Sequence, residues 1–165
     1  MGYPGSTDRY LTSYGVKMAV EKDQPARVKI RAKKLEIMKT HMNASDAVRI
    51  QYASTYAQVS NYWKYFIGQT EQLQKNKVWG KKVIIEKLFA TWVAQTDGRK
   101  KMYGNVLSDM ESAYETLTKN NPTKVYFFES VYSVAVNKFM IAHSRLFDEL
   151  GKDEPDEKKI EKLNL

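Results

Sequence analysis

Between Arg49 and Glu71 the chain carries a single charged residue, Lys64, although 28% of the whole sequence is charged. The apolar residues of this stretch, Val48, Tyr52, Tyr56, Val59, Trp63, Phe66 and Leu73, follow at helical steps of three or four, with one longer jump across Thr70. Ser45, with Asp46 behind it, makes a capped start, so the spacing predicts one helix from about Ser45 to Lys75. Roughly opposite the apolar stripe lies a second one, Ser54, Gln58, Asn61, Tyr65 and Gln72, polar but uncharged. A helix meeting bulk water normally carries charge on its outer face, so this one is expected to be covered on most sides. Two readings follow from the pattern. Either the amides and hydroxyls bond to neighbouring helices of a bundle, or the stripe faces another protein segment or a ligand.

The rest of the chain is organised as helices around this one. Gly2-Tyr3-Pro4-Gly5 is a turn that cannot begin a helix, and Thr12 or Ser13 can cap a short helix through Val20. Pro25 suits the first turn of the next helix, which runs to about Met42. Val28, Leu35, Met38 and Met42 are expected inward, and Arg27, Arg31, Lys33, Lys34 and Lys39 mostly outward. A further helix is predicted over 81–95, with Ile84, Ile85, Leu88, Phe89 and Trp92 on a broad apolar face. Thr96-Asp97-Gly98 breaks it, and the next helix should reach about Lys119. Asn120-Asn121-Pro122 reads as stop and start together, and a last long helix over 123–150 is closed by Gly151. Lys152 to Leu165 is a charged tail or the start of another helix. The expected fold is all-α: an irregular bundle of about five or six antiparallel helices, with an N-terminal arm (1–11), a helical domain (12–151) and the tail (152–165).

Composition removes several chemistries. With no cysteine in 165 residues, neither a disulfide framework nor a thiolate metal site exists. His41 and His143 are far apart, and no carboxylates at ligand spacing complete a metal site, so no metal or cofactor is expected. Apolar runs are too short to span a bilayer, and the N-terminus lacks the basic and apolar regions of a signal peptide. Taken literally, the chain would be cytoplasmic. Its net charge of +8 favours an anionic partner, but the basic clusters Arg31-Lys33-Lys34, Lys81-Lys82 and Arg99-Lys100-Lys101 lie on different helices. They also lack the interleaved aromatics of a single-strand platform. Phosphate loops, nucleophile elbows and His-Glu-x-x-His are missing. His143 and Ser144 are adjacent on a helix and point about 100° apart, too far for a relay. These residues assemble no catalytic site.

The segment Gly2-Tyr3-Pro4-Gly5-Ser6-Thr7-Asp8-Arg9-Tyr10-Leu11 resembles bacterial serine dipeptidyl peptidases of the VII/XI type. In them a Gly-aromatic-Pro-Gly-x-Thr-x-Arg-Tyr segment leaves a β-barrel and enters a helical domain. The similarity continues at Ile30-Arg31, Lys34-Leu35, Ile37-Met38, Val48-Arg49-Ile50 and Tyr52-Ala53-Ser54, and it is strongest at Ser60-Asn61-Tyr62-Trp63-Lys64. It persists at Gly80-Lys81-Lys82.

The resemblance implies part of an inserted helical domain that caps the cleft of a chymotrypsin-like barrel carrying a Ser-His-Asp triad. The triad segments have no counterpart here, so the chain alone is expected to be inactive. Asn61 matches the family's asparagine that helps hold the α-amino group of a peptide substrate, and Ser54, Gln58 and Tyr65 would line the cleft beside it. Trp63, pointing nearly the opposite way, reads as a packing residue. The implied partners are the peptide N-terminus and the barrel of the same parent chain, with no nucleic acid and no membrane insertion. The implied location is the periplasm or cell surface. Two rival readings remain, a free-standing helical interaction module and a basic nucleic-acid binder.

Overall fold

The computed structural model describes residues 11–163. Every regular element among them is helical. Residues 1–10, to which most of the expected arm belongs, lie outside that range. The fold divides into two compact units, with the boundary between Val125 and Tyr126.

The first unit is built on an antiparallel hairpin of two long helices, α2 (Gln24–Ala44) and α3 (Asp46–Lys75), joined by Ser45 alone. The Ser45 hydroxyl accepts a hydrogen bond from the Val48 N–H, which is the predicted cap. The register is set by side chains that reach across. Gln24, 5% exposed, donates from Nε2 to Gln69 Oε1 at 2.6 Å and accepts from the Thr70 hydroxyl. One turn on, the Arg27 guanidinium lies 5.5 Å from the Phe66 ring centre. Arg31 lies 5.3 Å from Tyr62 and 5.4 Å from Phe66. These two arginines, expected outward, instead cover the aromatic rings of α3 with their planar cations. Each such contact contributes about 0.5–1 kcal/mol where water has access, and more where it does not. Leu35 is buried further along the hairpin, and burying such a side chain is worth about 1.5–3 kcal/mol.

Ahead of the hairpin runs α1 (Ser13–Met18), started by Thr12, whose hydroxyl accepts from the Gly15 N–H at 3.2 Å. The chain does not stop between α1 and α2. It passes through a wide π turn, Ala19–Asp23, in which the Gln24 N–H reaches the Ala19 carbonyl. Pro25 follows at once, and its lack of an N–H is compatible with such a local change of pitch.

After α3, Asn76 and Lys77 make the turn, with Lys77 in the left-handed region (φ 50°, ψ 40°). The next helix, α4 (Val78–Ala94), therefore begins three residues earlier than predicted, and Gly80 sits inside its first turn. Thr96 caps α5 (Asp97–Tyr103), as its place before Asp97 suggests. The predicted single helix up to Lys119 is broken at Gly104-Asn105, and α6 (Val106–Phe127) then runs straight through Pro122. The Asn-Asn-Pro signal does not end the helix, and the Asn121 amide donates to the Asp23 carboxylate instead of capping a new one. That contact spans 98 residues of chain and is invisible to local propensity.

The predicted helix over 123–150 is likewise interrupted in the second unit. A π turn, Phe128–Tyr132, precedes α7 (Ala135–Ala142), and His143 separates α7 from α8 (Ser144–Leu150). At the first break the Ser133 hydroxyl bonds the Glu129 carbonyl and the Asn137 amide bonds the Val131 carbonyl. Polar side chains here compete with the helical ladder. The charged tail forms α9 (Glu157–Leu163), capped by Asp156, which accepts from the Lys158 and Lys159 N–H groups.

Among the described residues, buried apolar side chains are few: Val16, Leu35, Val93, Val125 and Leu146. The broad apolar face of α4 is open, with Ile84 60%, Ile85 58% and Leu88 65% exposed.

Candidate functional site

Among the described residues, the charge-poor helix α3 is covered mainly on the side that meets α2. Tyr62, Phe66, Gln69 and Thr70 face α2, whereas no residue of α3 is fully buried. This corrects the expectation that such a helix must be enclosed on most sides. The apolar stripe is half-buried except at Tyr52, which is exposed.

Ser54, Gln58, Asn61 and Tyr65 are all exposed, and their spacing places them on one face, about a quarter turn from the side that meets α2. Asn61 makes no hydrogen bond to another described residue, so its amide is available to a partner. The reading in which this stripe bonds neighbouring helices therefore does not hold for the described chain.

Tyr65, one turn on from Asn61 and on the same face, is 53% exposed, and Tyr62, on the side that meets α2, is 57% exposed. Both rest on Phe66, Tyr65 edge-on at 5.3 Å and Tyr62 tilted at 6.4 Å. Phe66 in turn lies beneath Arg27 and Arg31. The chain of contacts from α2 through Phe66 thus orients Tyr65, one turn from Asn61 on the same face. A face of this composition offers a neutral carbonyl acceptor one helical turn from an exposed tyrosine. Such a surface can accept a hydrogen bond from an ammonium without adding net charge. Trp63 points away from this face, half-buried, with its indole N–H enclosed and unbonded.

The remaining candidates carry no chemistry of this kind. His143 is half-buried with its Nδ1 2.9 Å from the Phe139 carbonyl and its ring 4.2 Å from the Phe139 ring, so it belongs to the α7 end. His41 is exposed on α2. Among the described residues no three acidic, His or Cys side chains are placed to hold a metal ion. No described helix is long and apolar enough to cross a membrane.

A cavity of about 870 Å³ between α1, α4 and α6 was not foreseen from the sequence. Tyr14, Trp79, Glu86, Glu111 and Tyr114 are among the residues that line it. Two of its polar groups are paired with each other. Glu86 accepts from the Ser13 N–H at 2.7 Å and the Ser13 hydroxyl at 2.5 Å, and Tyr14 stacks on Tyr114 at 6.2 Å. Burial, with Glu111 and Glu86 nearby, raises the Tyr14 hydroxyl above its ordinary pKa. No local sequence signal links Ser13 to Glu86, since 73 residues separate them.

The fold and the α3 face together define an all-helical segment that presents a neutral polar strip on a charge-poor helix. The chain belongs to the Peptidase S46 family, whose model matches residues 1–164. It is 43% identical to dipeptidyl-peptidase 7 of Porphyromonas gingivalis over 132 residues, covering 80% of this chain and 18% of that protein. It is 40% identical to the Asp/Glu-specific dipeptidyl-peptidase of Flavobacterium psychrophilum over 131 residues, covering 79% of this chain and 18% of that one. An Asp/Glu-specific dipeptidyl-peptidase of Capnocytophaga gingivalis matches 99% of this chain at 29% identity and is covered over 23% of its length. The chain matches only part of these dipeptidyl-peptidases, spanning about a fifth of the curated relatives' length.

Proposed function

We propose that this chain is the cleft-covering helical region of a serine-type dipeptidyl aminopeptidase, and that Asn61 accepts a hydrogen bond from the substrate's N-terminal ammonium. The observation that carries the reading is the α3 face itself: Asn61 is exposed and makes no hydrogen bond to another described residue, on an uncharged strip it shares with Ser54, Gln58 and Tyr65. Substrates that must be cut two residues from a free N-terminus present an ammonium whatever their side chains. A relative named for Asp/Glu specificity and one named without a residue preference match this segment at 40% and 43% identity. That suits a segment that reads a feature common to all dipeptidyl substrates rather than one side chain.

In this reading Ser54, Gln58 and Tyr65 line the cleft, and a chymotrypsin-like barrel elsewhere in the parent chain performs acyl transfer through its triad. The parent works in the periplasm or at the cell surface, where peptides arrive from outside.

The test is Asn61→Ala in the intact parent enzyme. A hydrogen bond to a charged group is worth about 1.5–3 kcal/mol, which corresponds to a roughly ten- to hundred-fold fall in kcat/KM. Asn61→Asp keeps an acceptor and adds charge, so it should retain more activity than the alanine variant. Because Asn61 is exposed and unbonded, thermal stability should stay within about 0.5 kcal/mol of the parent. Unchanged kcat/KM with a clear loss of stability would remove Asn61 from the site.

A further inference from the structure

Lys64 is the one charge left between Arg49 and Glu71, and the neutral strip beside it does not explain it. It lies three residues on from Asn61, about 60° round α3, on the flank away from Tyr62 and α2. Side chains so spaced on a helix have Cβ atoms about 5–6 Å apart. Lys64 is exposed and pairs with no other described residue. The positions three and four residues to either side, Ser60, Asn61, Ile67 and Gly68, hold no acid that could pair with it. A helix face shaped for water is rich in charged groups. This one gives up every charge but a single cation, and keeps that cation one turn from the exposed Asn61 amide.

We propose that Lys64 sets a charge preference for the first side chain of the substrate, against lysine and arginine and toward neutral or acidic residues. The inference rests on the reading of Asn61 as the amine acceptor, and it adds the class of substrate that this site favours. The first side chain leaves the same Cα as the N-terminal ammonium. A substrate held at Asn61 therefore carries that side chain within reach of the Lys64 ammonium, which moves on a flexible four-carbon stem. A basic side chain brings a further cation beside Lys64, with no acid within a turn on α3 to offset it. A carboxylate in the same place is attracted instead. Both effects fall off with distance and are screened by salt. Repulsion between Lys64 and the N-terminal ammonium is common to every substrate, so it cancels when substrates are compared.

The experiment compares three dipeptidyl substrates in the intact parent enzyme. They share their second residue and leaving group and carry norleucine, glutamate or lysine first. In Lys64→Met the preference for norleucine over lysine, as a ratio of kcat/KM, should fall roughly three- to tenfold, and glutamate should lose ground to norleucine by a similar factor. Lys64→Arg keeps the cation and should keep both ratios. Added salt should narrow the ratios in the parent and leave those of Lys64→Met in place. Ratios unchanged in Lys64→Met, or a fall that strikes all three substrates alike, would overturn the proposal. Asn61→Ala is measured on the same substrates. A uniform fall there, with unmoved ratios in Lys64→Met, removes Lys64 alone. No fall in Asn61→Ala removes the amine reading and this proposal with it.

Discussion

Removing the Glu86 carboxylate tests whether α1 is held to α4 by a buried polar clamp. Ser13 is only 3% exposed, and Glu86 receives both its backbone N–H, at 2.7 Å, and its hydroxyl, at 2.5 Å. In Glu86→Ala both donors lose their acceptor in a place that water reaches poorly. A bond to a charged group contributes about 1.5–3 kcal/mol, and the two share one carboxylate and are not independent, so the loss should be about 2–4 kcal/mol. At about 2–4 °C per kcal/mol for a chain of this size, Tm should fall by roughly 4–16 °C. Glu86→Gln keeps one carbonyl acceptor and should cost only about 1 kcal/mol. Thermal unfolding followed by far-UV circular dichroism gives these values. A double-mutant cycle with Ser13→Ala should show a coupling of at least about 0.5 kcal/mol. If Glu86→Ala stays within about 0.5 kcal/mol of the wild type, or the cycle shows no coupling, the clamp contributes nothing and the reasoning fails.

Gly15→Ala should also destabilise the same helix, because an added Cβ would stand 2.7 Å from Leu11 Cδ1 and 2.7 Å from the Tyr114 hydroxyl; relief of the clash costs about 1–3 kcal/mol and shows in the same unfolding measurement. Acid should loosen the α8–α9 junction through Glu149. Its carboxylate accepts from the Lys152 ammonium at 2.7 Å and the Asp156 N–H at 3.2 Å, which holds its pKa below the ordinary 4.5. A depressed folded pKa means that this stabilisation is complete above the ordinary glutamate range and is lost as pH falls through the folded value. Amide exchange in α9 should therefore quicken below about pH 4.5, and Glu149→Gln should abolish that step. An identical pH profile in the variant would assign the effect to another group.

What the amino-acid order determined by itself is the helical character of the chain and the identity of its unusual helix. Helical spacing, the Ser45 cap and the lack of charge between Arg49 and Glu71 are local properties, and α3 has the predicted end within a residue at each side. The polar strip at Ser54, Gln58, Asn61 and Tyr65 was legible for the same reason, since a fixed 3.6-residue pitch assigns residues to faces without knowledge of neighbours. What tertiary structure decided was which faces are covered. Arg27 and Arg31 turn inward because α3 places the Phe66 and Tyr62 rings within their reach. Pro122 stays inside a helix while Asn121 answers to Asp23, and Glu86 serves Ser13 across 73 residues. Ile84, Ile85 and Leu88 have the spacing of a core yet face water in this segment. Periodicity states only that such a row requires an apolar neighbour, and the neighbour's identity is a long-range property that no local pattern encodes.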